Sequence, residues 1–222
     1  PADRRMYATR DVTATEEHLG LITASIVSKK LAAGLQDLVL DVKCGNGAVM
    51  QDEDTARTLA QSMVDVGNGA GMRTSALLTD MSVPLAWSAG NALEVQEAVN
   101  YFQDPASRHP RLNEVTLALG EALLVQAGVH DDARSARAAL ELVRDNGKAL
   151  ECWAKSIEAM GGDPRVTDHP GAVLAQAPVV REVKAPRSAT LTGYDVRQVG
   201  MTVVELGGGR TQPDAVMESS VG

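Results

Sequence analysis

Apolar residues recur at a helical spacing near the start of the chain, over residues 21–33. This segment contains neither Pro nor Gly, and Gly34 follows it directly. Such a pattern is typical of a helix that ends at a glycine. The apolar positions that define the period are Ile22, Ile26 and Leu31.

One face of this predicted helix carries a small set of binding groups. Residues three and four apart share a helix face, so Ile22, Ser25 and Lys29 point the same way, and Arg10 can approach from the preceding loop. One apolar contact, one hydroxyl and two cations suit a small planar ligand with carbonyl groups and a ring N–H. The competing interpretation is a solvated helix face, with Arg10 paired to Asp11 on the surface.

The next segments alternate between two periods. Residues 37–43 form a short apolar, β-branched run, residues 52–66 have a helical period, and residues 74–81 return to a strand pattern. Strand, helix and strand in this order predict a parallel pair with a right-handed crossover. Met50 follows the first strand, at the carboxyl end where open α/β sheets bind ligands.

Helical patterns then dominate as far as Gly161. They cover residues 91–102, 112–126, 131–144 and 148–160, and the repeated Leu and Ala of 112–126 predict deep burial. None carries a constellation of acids, histidines or nucleophiles, so we interpret them as scaffold. Beyond residue 162, prolines separate short β-rich runs at 179–183 and 201–206, which predicts a separate α+β lobe.

These patterns together predict the fold class and the domains. The class is α/β, with a mixed, mostly parallel sheet flanked by helices. A helical segment precedes the sheet, and an α+β lobe follows it. The predicted domains are residues 1–34, 35–162 and 163–222.

Composition narrows the possible partners. The net charge is −8 and no basic run occurs, which argues against nucleic acid or an anionic membrane as the main partner. No apolar stretch approaches the ~20 residues that span a bilayer, and no leader pattern is present. Cys44 and Cys152 lie far apart in sequence, which fits a reducing cytosol and no metal pair.

Five segments resemble the family of thymidine and pyrimidine-nucleoside phosphorylases, and together they extend over nearly the whole chain. They are residues 5–30, 41–48, 77–81, 90–95 and 201–210. The resemblance implies an internal fragment, without the family's N-terminal phosphate-binding loop and its C-terminal end. It also implies that residues 1–34 are part of a small helical domain used for dimerisation and base binding, and that the α+β lobe at residues 163–222 is incomplete.

The resemblance implies a reaction and assigns residues to it. Phosphate attacks the anomeric carbon of thymidine, which yields thymine and 2-deoxy-α-D-ribose 1-phosphate, in pyrimidine salvage. Arg10 and Lys29 would act as cationic donors to the departing base, and Ser25 would orient it. Ile22 and Met50 would form apolar walls against the ring. At Glu16 the chain departs from relatives that have an apolar residue near the base pocket. The preference for thymidine over uridine or deoxyuridine, which depends on contact with the 5-methyl group, therefore stays open.

A cation site, a co-substrate and an assembly also follow from the resemblance. Potassium would be held by the backbone carbonyls of Leu85 and Ser88 and by the Glu97 carboxylate, whose alternative is a solvated helix acid. Phosphate is the co-substrate and no cofactor is required. The full-length enzyme would be a cytoplasmic homodimer that acts on small molecules, with no nucleic acid or membrane partner.

Several alternatives stay open at this point. One is a broader pyrimidine-nucleoside phosphorylase, or a phosphoribosyltransferase of the same fold. Another is a non-catalytic, truncated dimerisation or binding fragment, and the isolated fragment is expected to be inactive. The four histidines and Cys44 are interpreted as structural or surface residues, and the Gly-rich stretch 207–210 as a tight turn.

Overall fold

The computed structural model describes residues 18–210 and 216–222. The first elements are helix α1 (Leu19–Ala32), strand β1 (Asp37–Cys44), helix α2 (Glu53–Gly69) and strand β2 (Arg73–Asp80). They are followed by helices α3 (Asn91–Gln103), α4 (Pro110–Gln126), α5 (Ala133–Asp145), α6 (Lys148–Ala159), α7 (Pro170–Val173) and α8 (Val196–Val203). The predicted helices and strands up to residue 160 are confirmed to within three residues at their ends.

The chain forms two compact units, and each is described by itself. The first comprises the described residues up to Ser82 together with Val115–Ala138. The second comprises Val83–Glu114 and the described residues from Ala139 onward. The predicted three-part domain division stays a prediction.

The first unit is built on the predicted strand–helix–strand motif. β1 and β2 pair in parallel, in a register that runs from Asp37 opposite Arg73 to Cys44 opposite Asp80. The Asp52 carboxylate accepts the Thr55 N–H at 2.8 Å and caps the start of α2. The α/β class with a parallel sheet flanked by helices is therefore confirmed.

The two faces of this sheet differ in chemistry because side chains alternate along a strand. Leu38 and Val42 of β1 lie in the apolar core with Val27 of α1 and Met63 of α2. Val27 and Met63 are only 1% and 2% exposed, so α1 is firmly packed onto the sheet and onto α2. A partly buried hydroxyl pair, Thr23 with Ser62 at 3.0 Å, also joins the two helices.

The opposite face of the sheet is polar. Asp37 pairs with Arg73 across the strands, at 2.7 Å between Oδ1 and Nε. Gln126 of α4 accepts from the Ser75 hydroxyl at 2.7 Å and donates to the Arg73 carbonyl at 2.8 Å. These hydrogen bonds give the polar side chains at the amino-terminal end of this face partners within the first unit.

The second unit contains a charged network around Asp145. Arg144 makes a two-pronged contact with this carboxylate, at 2.8 and 3.0 Å, and Arg108 adds a third contact at 2.8 Å. Arg144 also donates to Asn113, which accepts from the buried Tyr101 hydroxyl at 3.0 Å. The guanidinium of Arg144 chiefly, together with that of Arg108, lowers the pKa of Asp145 to about 2 against the smaller effect of burial.

Two expectations about individual segments are wrong. Helix α4 is not deeply buried: Leu117 is its one buried residue, and Leu123 is 41% exposed. Its composition indicates how much apolar surface it has but not what covers that surface. The predicted strand at 201–206 is instead the end of α8 and a following helical turn, and residues 179–183 form no strand.

Within the described residues, every helix is too short or too polar to cross a membrane.

Candidate functional site

Four of the predicted site residues line a single cavity in the first unit. Ile22, Ser25 and Lys29 of α1 reach it together with Met50, and its volume is about 360 Å³. This volume lies within the range of sites that hold small organic ligands. Arg10, the fifth predicted base-binding residue, lies outside the described residues, as does Glu16.

The α1 side of the cavity is polar. The Lys29 ammonium donates to the Ser25 hydroxyl at 3.3 Å, across one helical turn. Lys29 is exposed and Ser25 half-buried, so both groups are accessible to a ligand in the cavity. An ammonium and a hydroxyl at this distance can bind neighbouring polar atoms on the edge of one planar ring.

The deeper walls of the cavity are apolar. Ile26 of α1 and Leu59 and Met63 of α2 line it, and Met50 is 6% exposed. The sequence predicts Ile22 and Met50 in this wall but does not predict the two α2 residues. Their helical period was visible in the sequence, but the period does not tell which strand end a helix will face.

A third wall comes from the carboxyl end of β1, which sequence reasoning also missed. Asp41 and Lys43 line the cavity, and their side chains contact each other at 2.6 Å. Thr79, opposite Lys43 on β2, donates its hydroxyl to Asp41 at 2.5 Å and accepts from Lys43 at 2.9 Å. The signal was present as two polar residues at i, i+2 near the end of a predicted buried strand.

The turn after β1 positions Met50 and its neighbour Val49. Gly45 has φ 121°, a conformation that side chains with a Cβ rarely adopt. Its N–H donates to the Gln51 carbonyl at 3.2 Å, and the Gly47 N–H donates to the Met81 carbonyl at 3.1 Å. A Cβ on Gly45 would lie 2.7 Å from the Ser82 nitrogen and 2.9 Å from the Met81 carbonyl carbon.

Replacing Gly45 by alanine is therefore expected to destabilise the fold by about 2 kcal/mol, because backbone strain and a backbone clash add together. Urea unfolding measures the loss. Gly69→Ala is the matched control, since a Cβ there meets nothing within 4 Å and lies in a helix. It should leave stability unchanged or raise it by up to about 1 kcal/mol. Equal effects of the two substitutions would contradict the role of the turn.

The predicted cation-site residues belong to the second unit. The Glu97 carboxylate accepts the Trp87 N–H at 2.9 Å, the Ser88 N–H at 2.8 Å and the Ser88 hydroxyl. Leu85 lies in the same loop. Burial raises the pKa of Glu97, but these hydrogen bonds and the nearby His109 outweigh it, so the pKa lies below its usual range.

The structure thus brings Ser88 and Glu97 together, and Glu97 is not simply a solvated helix acid. The lowered pKa means that this carboxylate is charged at neutral pH, and a charged carboxylate is a hard oxygen ligand of the kind that potassium accepts. Among residues 18–210 and 216–222, no group of three or more His, Cys, Asp or Glu side chains is placed to hold a metal ion.

Comparison with known proteins gives the family. The profile of a glycosyl transferase family, a/b domain, matches residues 1–150. The chain belongs to this glycosyl transferase family. The resemblance seen in the sequence is confirmed as well, since curated relatives align with all 222 residues of this chain.

The curated relatives that match this member of the family are named thymidine phosphorylase. Identity is 51% over 222 residues to the protein of Burkholderia orbicola (strain MC0-3) and 51% to that of Burkholderia cenocepacia (strain HI2424). It is 49% to that of Rhizobium meliloti (strain 1021). Each alignment covers all of this chain and 50% of the relative, so the chain spans about half the length of the curated relatives it matches.

Proposed function

We propose that this protein catalyses the reversible phosphorolysis of thymidine to thymine and 2-deoxy-α-D-ribose 1-phosphate. The observation that carries the proposal is the cavity, where Ile22, Ser25, Lys29 and Met50 meet. Identity of about half the residues to proteins named thymidine phosphorylase supports the same reaction.

The proposed roles follow from the charge that develops in the reaction. As the glycosidic bond stretches, negative charge spreads onto the pyrimidine ring and its carbonyl oxygens. Cations aimed at those oxygens stabilise the transition state more than the ground state. Lys29 supplies a compact ammonium and Arg10 a planar, permanently charged fork, while Ser25 hydrogen-bonds the edge of the base.

Apolar contact holds the ring between Ile22 and Met50. Because Met50 is almost completely buried, its side chain can act as a fixed wall rather than a mobile flap. Glu16, outside the described residues, stands where relatives have an apolar residue near the base, and a polar side chain there would hold a 5-methyl group less tightly. This observation favours a second candidate, a broader pyrimidine-nucleoside phosphorylase that also accepts uridine.

The remaining proposals concern the rest of the assembly. Phosphate is the co-substrate and no organic cofactor is needed. Potassium would bind the carbonyls of Leu85 and Ser88 and the Glu97 carboxylate, and would fix the loop that Glu97 already holds. The active form would be a cytoplasmic homodimer that uses the region of residues 1–34 for dimerisation.

The test is phosphate-dependent release of thymine from thymidine, with protein produced from the complete open reading frame. Thymine and the sugar phosphate should form together, and uridine in a parallel assay separates the two candidates. Replacing K⁺ by Na⁺ in the same assay tests the cation. The 222-residue chain by itself is expected to show no turnover, because the family's phosphate-binding loop is not among its segments. No thymine release by the complete protein would contradict the proposal and favour a non-catalytic binding role.

A further inference from the structure

Asp41 and Lys43 lie in the cavity lining but have no part in base binding, and Thr79 of β2 forms a hydrogen-bonded cluster with them. Asp41 and Lys43 line the cavity, with side chains that are 23% and 31% exposed, whereas Thr79 bonds to both of them from β2. The cluster stands at the carboxyl end of two parallel strands, where open α/β sheets bind their ligands.

The bonds within the cluster leave binding capacity for a ligand. Lys43 has three N–H donors, and its bonds to Asp41 and Thr79 use two of them. Each Asp41 oxygen accepts one of these contacts and retains a second lone pair. Thr79 donates once and accepts once, so its hydroxyl holds the other two groups in place.

The charge of the cluster indicates which chemistry it would recognise. One carboxylate and one ammonium sum to zero, and the carboxylate would repel a phosphate oxygen at the same place. A hydroxyl group fits instead, since it can donate to a carboxylate and accept from an ammonium at once. Such charge-assisted hydrogen bonds are stronger than neutral ones.

We propose that Asp41 and Lys43 bind a hydroxyl group of the substrate pentose, and that Thr79 is a positioning residue for both. The proposal rests on the proposed function, because it takes the ligand of the cavity to be a pyrimidine nucleoside. The base then lies toward Ser25 and Lys29 of α1, and the sugar lies toward β1. The cluster selects substrates by their sugar, independently of the base.

The test is equilibrium binding of thymidine, 3′-deoxythymidine and 5′-deoxythymidine to the complete protein, measured by calorimetry. In the wild type, one of the two deoxy analogues should bind about 10- to 100-fold more weakly than thymidine, the effect of losing hydrogen bonds to charged groups. The double variant Asp41→Asn/Lys43→Met leaves no single charge unpaired. It should bind thymidine more weakly and discriminate less than about threefold among the three ligands.

Two further variants separate a positioning role from a structural one. Thr79→Val should reduce the discrimination among the three ligands. Thr79→Ser, which keeps the hydroxyl, should discriminate among them as the wild type does. The matched control is Asp37→Asn/Arg73→Met, which removes the ion pair at the other end of the same strands. The control should keep the discrimination, whatever stability it loses.

The outcomes distinguish this inference from the proposed function. Equal affinities for all three ligands in the wild type, or unchanged discrimination in the Asp41/Lys43 variant, would overturn the inference even if thymine is released. If the complete protein discriminates among the three ligands but releases no thymine, the proposed function is overturned and the sugar site stays supported. A complete protein that binds none of the three ligands would overturn both.

Discussion

Replacement of Lys29 by methionine is expected to lower kcat/KM for thymidine about a hundredfold in the complete protein. Methionine keeps most of the apolar stem but removes the ammonium that we propose stabilises the departing base. The Ser25 hydroxyl loses its donor at 3.3 Å in the same change, so the base is also held less firmly. Arg10→Ala should have an effect of similar size. Initial rates of thymine release at several thymidine concentrations measure both.

Lys30→Met is the matched control for this experiment. Lys30 is the next residue of the same helix turn, is exposed like Lys29, and is not part of the cavity lining. The Lys30→Met substitution removes one positive charge from the same helix end as Lys29→Met does, so general electrostatic effects are equal in the two variants. A loss in Lys30→Met that matches the loss in Lys29→Met would contradict the assignment of Lys29 to the base.

Replacement of Asp145 by asparagine is expected to reduce the free energy of unfolding by about 2 kcal/mol. The side chains of Arg108 and Arg144 are only 10% and 11% exposed, and both lose their charged partner. The loss is smaller than for a fully buried pair because Asp145 itself is 48% exposed. Urea unfolding at neutral pH measures it, with Glu158→Gln, an exposed acid on the next helix, as the control.

The contribution of Asp145 should also depend on pH in a defined direction. Its pKa is lowered to about 2 in the folded protein, from the usual value of about 3.9 in an unfolded chain. Its stabilising effect is therefore fully present above about pH 4 and is lost as the pH falls toward 2. The stability difference between wild type and Asp145→Asn should shrink over that range. A difference that stays constant down to pH 2 would show that the ion pairs do not cause it.

The sequence predicted local structure well wherever the period was long and regular. Helices α1 to α6 and both strands up to Asp80 were found from periodicity and from the residues that end them. The error at residues 201–206 has a visible cause. Their β-branched run suggested a strand, but Asp195 begins a helix by accepting the Gln198 N–H at 2.9 Å. The spacing Asp-x-x-Gln is a helix start signal that should outweigh a short β-branched run.

The candidate site was predicted in part, and the limit is physical. The face shared by Ser25 and Lys29 follows from helix geometry alone, so the sequence revealed it. The Asp41–Lys43–Thr79 cluster depends on which residues of two strands lie opposite each other. A pairing register is a long-range property that the pattern of one strand does not specify. The prediction that α4 is deeply buried was wrong for a similar reason, because the burial of a helix depends on neighbours from distant parts of the chain.

Among the described residues, those that line the cavity fall in one continuous stretch, between Ile22 and Met63. Closing the cavity therefore costs little chain entropy, since only short loops separate its walls. Contacts this local form early in folding, so this pocket should assemble before the second unit is in place. A ligand bound there would protect the backbone amides of α1, β1 and α2 from hydrogen exchange first. The pocket can thus respond to its ligand as a small cooperative unit, with its own opening equilibrium.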